Sequence, residues 1–226
     1  MEYLKLEKFL SQPRLNRFLT ATGNSKTKAK KLYRINLRIA QSFYPVLNLF
    51  EIFIRNAINQ QIASHFVDSN WIITEKNGFM SDNSLRGSRY FLKNSIIKSE
   101  QKIRRMGGTI TSGKVIAEQS FGFWTRLFDT HHYKLLRGSI IHCFPNKPAN
   151  VNRNIINQKL NNIREFRNRI YHNEPICFNR DSIDFTEAIN IKNEIYELLE
   201  WMDHDLVAYV DYFDGITAKI NNINNL

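Results

Sequence analysis

The apolar residues of this chain recur at helical spacing over most of its length. Between residues 151 and 173 they follow steps of 1, 4, 3, 3 and 4, which places them on one face of a helix. The members of this stripe are Ile155, Ile156, Leu160, Ile163, Phe166 and Ile170. Pro175 follows, and because the residue before a proline avoids the α region, we predict that the helix ends just before it. A similar stripe predicts a last helix over residues 185–211, with an acidic outer face.

The most apolar segment, residues 42–66, predicts a buried helix. Ser42 resembles a cap and Pro45 stands in the first turns, where proline is tolerated. Its interior is apolar on most faces, which is typical of a helix inside a bundle. Glu51 and Arg55 are the only charged residues there, four positions apart, so an ion pair between them is expected.

The aromatic side chains of residues 117–128 are predicted to be core, because aromatics that stack on bases usually sit among basic residues on an exposed surface. They are Phe121, Phe123, Trp124 and Phe128. Residues 106–114, with three glycines, indicate a connector, the alternative being an exposed mobile element near a site, and the terminal NNINNL is expected to fray. Nine glycines and five prolines in 226 residues favour long helices over a turn-rich β fold, so we predict an all-α fold class.

The sequence also bears on the cellular compartment of the protein and on structural zinc. No run approaches 18 apolar residues, so no transmembrane helix is expected, and the charged N-terminus does not resemble a signal peptide. Cys143 and Cys177 belong to no CxxC or Cys/His cluster. These features predict a cytoplasmic protein without structural zinc.

The net charge of +11 is placed unevenly. Residues 1–113 carry 19 Lys/Arg against seven Asp/Glu, whereas residues 114–226 carry 13 against 14. A one-sided positive field suits a polyanion such as nucleic acid or an anionic membrane surface, although many basic proteins bind neither. The basic candidates for phosphate contacts are Lys26, Lys28, Lys30, Lys31, Arg34, Arg104 and Arg105.

An arginine followed by a histidine four to six residues later can cleave RNA without a metal. The imidazole exchanges protons with the ribose 2′-OH or the leaving 5′-oxygen, and the guanidinium neutralises charge on the phosphorane. The four such pairs are Arg126–His131, Arg126–His132, Arg137–His142 and Arg167–His172. With 16 arginines and six histidines, about one pair is expected by chance, so the spacing alone is a weak signal.

The context favours Arg167 and His172. Asn168 shares a helix face with His172, and a helix end can open into a cleft. Further polar groups crowd this end of the helix and are candidate supporting residues: Arg169, Tyr171, Asn173 and Glu174. Five residues rotate about 140° around an ideal helix, so the arginine must reach around, the helix must be distorted, or a second subunit must complete the site. A basic helix end with a partly buried histidine explains the same residues.

The segment REFRNRIYHNEPI, residues 164–176, resembles the RNxxxH signature of the HEPN superfamily. More narrowly, it is similar to the Abi-like (abortive-infection, AbiD/AbiF-type) proteins, in which this segment tends to read RNRxxHHEP. The segments around EIFIRNA (residues 51–57) and FGFW (residues 121–124) agree with that family, in the expected order. Where the family often has a second histidine, this chain has Asn173.

The resemblance implies a HEPN-type helical bundle with additional N-terminal helices. We expect residues 1–40 to form a basic helical segment packed on a domain of residues 41–226, in one continuous domain. It further implies a homodimer, an RNA substrate, no metal or other cofactor, and an antitoxin partner that is a protein or a small RNA.

The expected activity is that of a metal-independent endoribonuclease of phage-defence or toxin type. His172 would be the acid or base, Arg167 would stabilise the transition state, and Asn168 would orient the imidazole. Glu51 and Arg55 match the ExxxR element of that family. They would give structural support, or Arg55 would line the cleft. The rivals are a non-catalytic RNA-binding module and a regulatory interaction scaffold of a toxin–antitoxin-like system.

Overall fold

The computed structural model describes residues 2–221 and is 73% helical, which confirms the all-α fold class. The helices are α1 (Tyr3–Leu10), α2 (Gln12–Ala21), α3 (Lys26–Phe66), α4 (Trp71–Thr74), α5 (Phe91–Arg105), α6 (Ser112–Ala117), α7 (Phe121–Arg126), α8 (Thr130–Leu135), α9 (Arg153–Tyr171), α10 (Thr186–Met202), α11 (His204–Asp211) and α12 (Ile216–Asn221). Short 3-10 helices cover Phe79–Ser81, Asn83–Ser88 and Ser139–Cys143. Among the described residues, no helix is long and apolar enough to cross a membrane.

The chain folds into two compact units. The first contains the described parts of Met1–Leu49, Glu165–Glu197 and Asp205–Leu226, and the second contains Phe50–Arg164 and Leu198–His204. The domain division expected from the sequence, at residues 40 and 41, stays a prediction. The fraying expected for NNINNL concerns residues 222–226, which lie outside the described residues.

The first unit has an aromatic core. The Phe18 ring lies 5.1 Å from both the Tyr33 and Phe178 rings, and Phe43 lies 4.9 Å from Phe166. Edge-to-face pairs of this kind add stability beyond their buried area. Phe166 and Ile170, from the stripe predicted for α9, are both buried. Unlike the predicted pattern, this unit also contains a hairpin, in which β1 (Phe178–Asn179) pairs antiparallel with β2 (Ser182–Ile183). Two-residue strands are too short to show an alternating pattern in the sequence.

The second unit has a core rich in tryptophan and phenylalanine. Trp124 lies 6.3 Å from Trp71 and 5.1 Å from Phe123, and the Trp71 Nε1 donates a hydrogen bond of 2.9 Å to Asn59 Oδ1. Phe121, Phe123, Trp124 and Phe128 are all buried, as predicted for the aromatic segment. Their burial excludes them as a base-stacking surface.

The long helix α3 begins 16 residues earlier than residue 42. Ser42 lies inside the helix, where its Oγ donates 2.7 Å to the Ile39 carbonyl, and Pro45 is also internal. The predicted boundary was wrong because serine can satisfy its hydroxyl on the preceding turn. Proline removes only one backbone hydrogen bond, at a cost of about 3 kcal/mol. The buried Phe43, Val46 and Leu47 around it offset that cost.

The helix predicted over residues 185–211 is two helices. α10 ends at Met202 and α11 begins at His204, while the Asp203 N–H still donates 2.8 Å to Leu199 O. Aspartate is favoured just before the first turn of a helix, so Asp203 suits the start of α11. The apolar spacing continues across this break, which explains why the stripe did not reveal it.

Candidate active site

The end of α9 is closed by a Schellman motif that fixes the segment carrying His172. The Asn173 N–H donates 3.0 Å to Ile170 O, and the Glu174 N–H donates 2.8 Å to Arg169 O. Asn173 takes φ 57°, the left-handed conformation that this motif requires and that asparagine tolerates. The His172 N–H makes the last α-helical hydrogen bond, 2.9 Å to Asn168 O. Asn173 therefore has a backbone function in this motif.

Three side chains hold the segment that follows His172. Arg14 Nη1 on α2 donates 3.1 Å to the Asn173 carbonyl. Asn36 on α3 is buried, and its Oδ1 accepts the Ile176 N–H at 2.8 Å. Arg169 Nη2 donates 2.7 Å to the Pro175 carbonyl. Residues 173–176, the anchored segment, are thus tied to α2, α3 and α9 of the first unit.

Arg169 links this segment to α10. Besides its bond to Pro175, its Nη1 pairs at 2.6 Å with Glu187 in the first turn of α10. A guanidinium can bind two acceptors at once because its donors form a fixed fork. Arg169 therefore positions the backbone at Pro175, and its carboxylate partner Glu187 lies within the same unit.

The candidate catalytic side chains occupy two neighbouring rows of the α9 surface. Arg167 and Tyr171 form one row, with the Arg167 Cζ 3.9 Å from the centre of the Tyr171 ring. Asn168 and His172 form the next row, four residues apart. Arg167 Nη1 joins the rows by donating 3.3 Å to Asn168 Oδ1. The guanidinium is therefore directed towards the end of the helix that carries His172, which reduces the difficulty posed by the 140° rotation.

The exposure of these groups suits contact with a large substrate. Asn168, His172 and Glu174 are exposed, and Tyr171 is 39% exposed. The hydrogen bond from Arg167 occupies the Asn168 oxygen, so an orienting contact between Asn168 and His172 stays a prediction. Tyr44 of α3, itself 40% exposed, lies edge-to-face against Tyr171 with ring centres 5.3 Å apart.

The competing arginine–histidine pairs lie in different surroundings. His132 is 2% exposed, and burial lowers the pKa of its imidazole. Arg126 lies with its Cζ 4.2 Å from the Phe91 ring centre, as expected for a packing role. Arg137 stands in a turn with φ 50°, before the 3-10 helix that carries His142. These pairs do not share the helix-end arrangement of Arg167 and His172.

Glu51 and Arg55 are half-buried on α3 within the second unit. The Arg55 Nε donates 3.3 Å to Asn56 Oδ1. The ion pair expected between Glu51 and Arg55, and a place for Arg55 in the site, stay predictions.

The structure collects most of the basic candidates on one helix. Lys26, Lys28, Lys31 and Arg34 are exposed, and Lys30 is half-buried, in the first turns of α3. Arg104 and Arg105 are exposed at the end of α5 in the second unit. Lys26 also lies 5.5 Å from the ring centre of Tyr3. The basic group on α3 therefore belongs to the same unit as Arg167 and His172.

Neither cysteine is a reactive thiol. Cys177, just beyond the anchored segment, is buried, and burial raises its pKa to about 12. Burial also raises the pKa of Cys143. A thiol acts as a nucleophile only once it has lost its proton, so both side chains serve as small apolar residues.

Sequence reasoning missed Arg14, Asn36 and Tyr44. Arg14 and Asn36 act through partners more than 100 positions away in the chain. The one local signal was an asparagine among the apolar residues of a helix, which indicates a polar group with a buried partner. Tyr44 lay within a segment predicted to be buried on most faces, so its exposure could not be foreseen.

No protein-family model matches the chain, and comparisons with curated proteins and solved structures also give no match. The resemblance to the HEPN superfamily therefore rests on the motifs quoted above.

Proposed function

We propose that the protein is a metal-independent endoribonuclease and that His172 is its general acid or base. The observation that carries the proposal is the grouping of Arg167, Asn168, Tyr171 and His172 at an anchored helix end. The signature resemblance points to Arg167, Asn168 and His172, and the exposure of His172 leaves room for a phosphodiester.

Each side chain has a role that its chemistry supports. His172 transfers a proton from the ribose 2′-OH or to the leaving 5′-oxygen, since histidine is the side chain best suited to proton transfer near neutral pH. Arg167 stabilises the negative charge of the phosphorane with its planar fork. The Tyr171 ring supports the guanidinium by a cation–π contact.

The anchored segment supports catalysis by limiting motion. A displacement of about 1 Å can reduce a catalysed rate by about 100-fold. The Schellman motif fixes the backbone at His172, and the hydrogen bonds that Arg14 and Arg169 donate and Asn36 accepts fix the backbone that follows it. An exposed histidine on an unanchored helix end would lack this restraint.

The test is cleavage of total cellular RNA and tRNA by the purified protein in EDTA. We expect His172→Ala to lower the rate by about 10²–10⁴-fold, the usual contribution of a general acid or base. Arg167→Ala should lower it by about 10²–10³-fold, as for other groups that stabilise an oxyanion. The matched control is His142→Ala, which removes another exposed histidine and should cleave like the wild type.

Three outcomes would contradict the proposal. If all the variants cleave alike, the activity comes from elsewhere. If none cleaves but all bind RNA with a steep salt dependence, the protein is an RNA-binding module. If RNA binding is weak and His172→Ala lowers stability or dimerisation, the segment is part of an interaction scaffold. The role in phage defence, the homodimer and the antitoxin partner are proposals that rest on the family resemblance alone.

A further inference from the structure

A basic cleft lies on the first unit beside α3. It is lined by Lys31, Arg34, Arg38 and Lys219, with Ile35 and Ile39 as its apolar part. Lys219 comes from α12, so two helices contribute cations. No Asp or Glu occurs between Glu7 and Glu51, a stretch that carries nine Lys/Arg. Such a group of cations suits a polyanion, which could contact them through several phosphates.

The exposed face of α3 connects this cleft with the candidate active site. Arg34, Arg38 and Tyr44 are all exposed on the same helix. The helix rises about 9 Å between Arg38 and Tyr44 and about 15 Å between Arg34 and Tyr44, and Tyr44 is rotated about 120° from Arg38 and about 80° from Arg34 around the helix axis. A strand that contacts all three must therefore pass obliquely across the exposed side of α3. A few nucleotides of one strand can contact both the cations and the tyrosine.

Tyr44 has the properties of a base-stacking residue. It is 40% exposed, and its neighbour Tyr171 supports it edge-to-face at 5.3 Å. Tyr171 in turn carries the Arg167 guanidinium on its ring. Aromatic side chains beside a basic groove bind single-stranded nucleic acid because every base has a π face. Bases paired inside a duplex are not open to such stacking.

We propose that α3 binds single-stranded RNA, with its phosphates at Arg34, Arg38 and Lys219 and one base stacked on Tyr44 next to the scissile phosphate. This inference rests on the proposed function and adds the substrate class: an unpaired segment of RNA. A protein partner with an acidic surface is the alternative occupant, and RNA binding by the His172→Ala protein separates the two.

The test uses a fluorescein-labelled single-stranded RNA oligonucleotide and the His172→Ala protein, so that binding is measured without cleavage. We expect Tyr44→Ala to weaken binding by about five- to 100-fold, the usual effect of removing a stacking aromatic. Tyr44→Phe keeps the ring and should bind normally. Tyr44→Leu keeps apolar bulk without a π face and should bind as weakly as Tyr44→Ala, which separates stacking from a folding defect. Tyr212→Ala removes an 86% exposed tyrosine elsewhere in this unit and should change nothing.

Two further readouts concern the base and the phosphates. A 2-aminopurine in the oligonucleotide should lose fluorescence when it stacks on an aromatic ring at position 44. This quenching should therefore occur with Tyr44 and with the Tyr44→Phe protein, and should be absent with Tyr44→Leu. Arg34→Gln and Arg38→Gln should each lower the slope of log K against log salt by about 0.7. Lys5→Gln, an exposed cation on α1, should leave the slope unchanged. The same sequence annealed to its complement should bind at least about tenfold more weakly.

The outcomes separate this inference from the proposed function. Binding of single strands that is lost with the Tyr44 ring supports the inference, even if the wild type fails to cleave and the nuclease proposal falls. Cleavage that survives Tyr44→Leu with unchanged RNA affinity overturns the inference alone. Equal affinity for single strands and duplex overturns it as well. If the His172→Ala protein without any further substitution fails to bind RNA, RNA binding by α3 is overturned and a protein partner is left as the occupant of the cleft.

Discussion

Asn36→Ala should loosen the anchored segment, residues 173–176, which follows His172. The Asn36 Oδ1 accepts the Ile176 N–H at 2.8 Å, and this bond is shielded from solvent because Asn36 is 3% exposed and Ile176 is fully buried. A buried donor left without an acceptor costs about 1–3 kcal/mol. Because 1.4 kcal/mol is a factor of about ten, the opening equilibrium should rise by about five- to 150-fold.

Two assays measure this effect. Urea denaturation gives the free energy of unfolding, which should fall by about 1–3 kcal/mol with an unchanged m value. Hydrogen exchange at the Ile176 amide should accelerate by at least the same factor, since that amide loses its side-chain acceptor. The matched control is Asn48→Ala, which removes an exposed asparagine from the same helix and should change stability by less than about 0.5 kcal/mol.

The reasoning is refuted if Asn36→Ala is as stable as Asn48→Ala and the Ile176 amide exchanges as in the wild type. That result would mean that the Ile176 N–H finds another acceptor, and that the anchored segment does not depend on α3.

Three further predictions concern the same region and the pH dependence of stability. Asn173→Gly should keep or raise stability, whereas Asn173→Ala should lose about 1 kcal/mol in urea denaturation because φ is 57° there; equal stabilities would argue against the Schellman motif. Glu187→Gln should lower the free energy of unfolding by less than about 1 kcal/mol because the ion pair with Arg169 is partly exposed. Arg169→Met should lower it further because the Pro175 carbonyl also loses its donor. Equal losses would contradict a double contact by Arg169. Burial lowers the pKa of His132 below its value of 6.5 in the unfolded chain, so the free energy of unfolding should decrease as the pH falls from 6.5 towards the folded-state pKa. His132→Gln should flatten this pH dependence in urea denaturation. Parallel curves for the two proteins would contradict the prediction.

The helical stripes were predictable because they depend on local periodicity. The buried Ile156, Leu160, Ile163, Phe166 and Ile170 follow the predicted face of α9. The α-helical class followed from the low glycine and proline content. The burial of the aromatics of residues 121–128 was expected because aromatics that stack on bases usually sit among basic residues. The sequence did not predict the start of α3, because Ser42 and Pro45 are compatible both with a helix start and with a helix interior. Both are internal to α3, although both residue types are common at helix starts.

The arrangement around His172 depends on contacts that the sequence does not pair. Arg14 reaches a carbonyl 159 residues away, and Asn36 reaches an amide 140 residues away. Asn173 had a local signal, since asparagine tolerates the left-handed region and precedes Pro175 by two positions.

The measurement that tests the central claim most directly is the chemistry of the RNA ends made in EDTA by the wild type and by His172→Ala. Attack by the ribose 2′-OH, with His172 transferring the proton, predicts 2′,3′-cyclic phosphate or 3′-phosphate ends from the wild type and no products from the variant. Products with 3′-hydroxyl and 5′-phosphate ends, or the same cyclic ends from His172→Ala at an undiminished rate, would contradict the account.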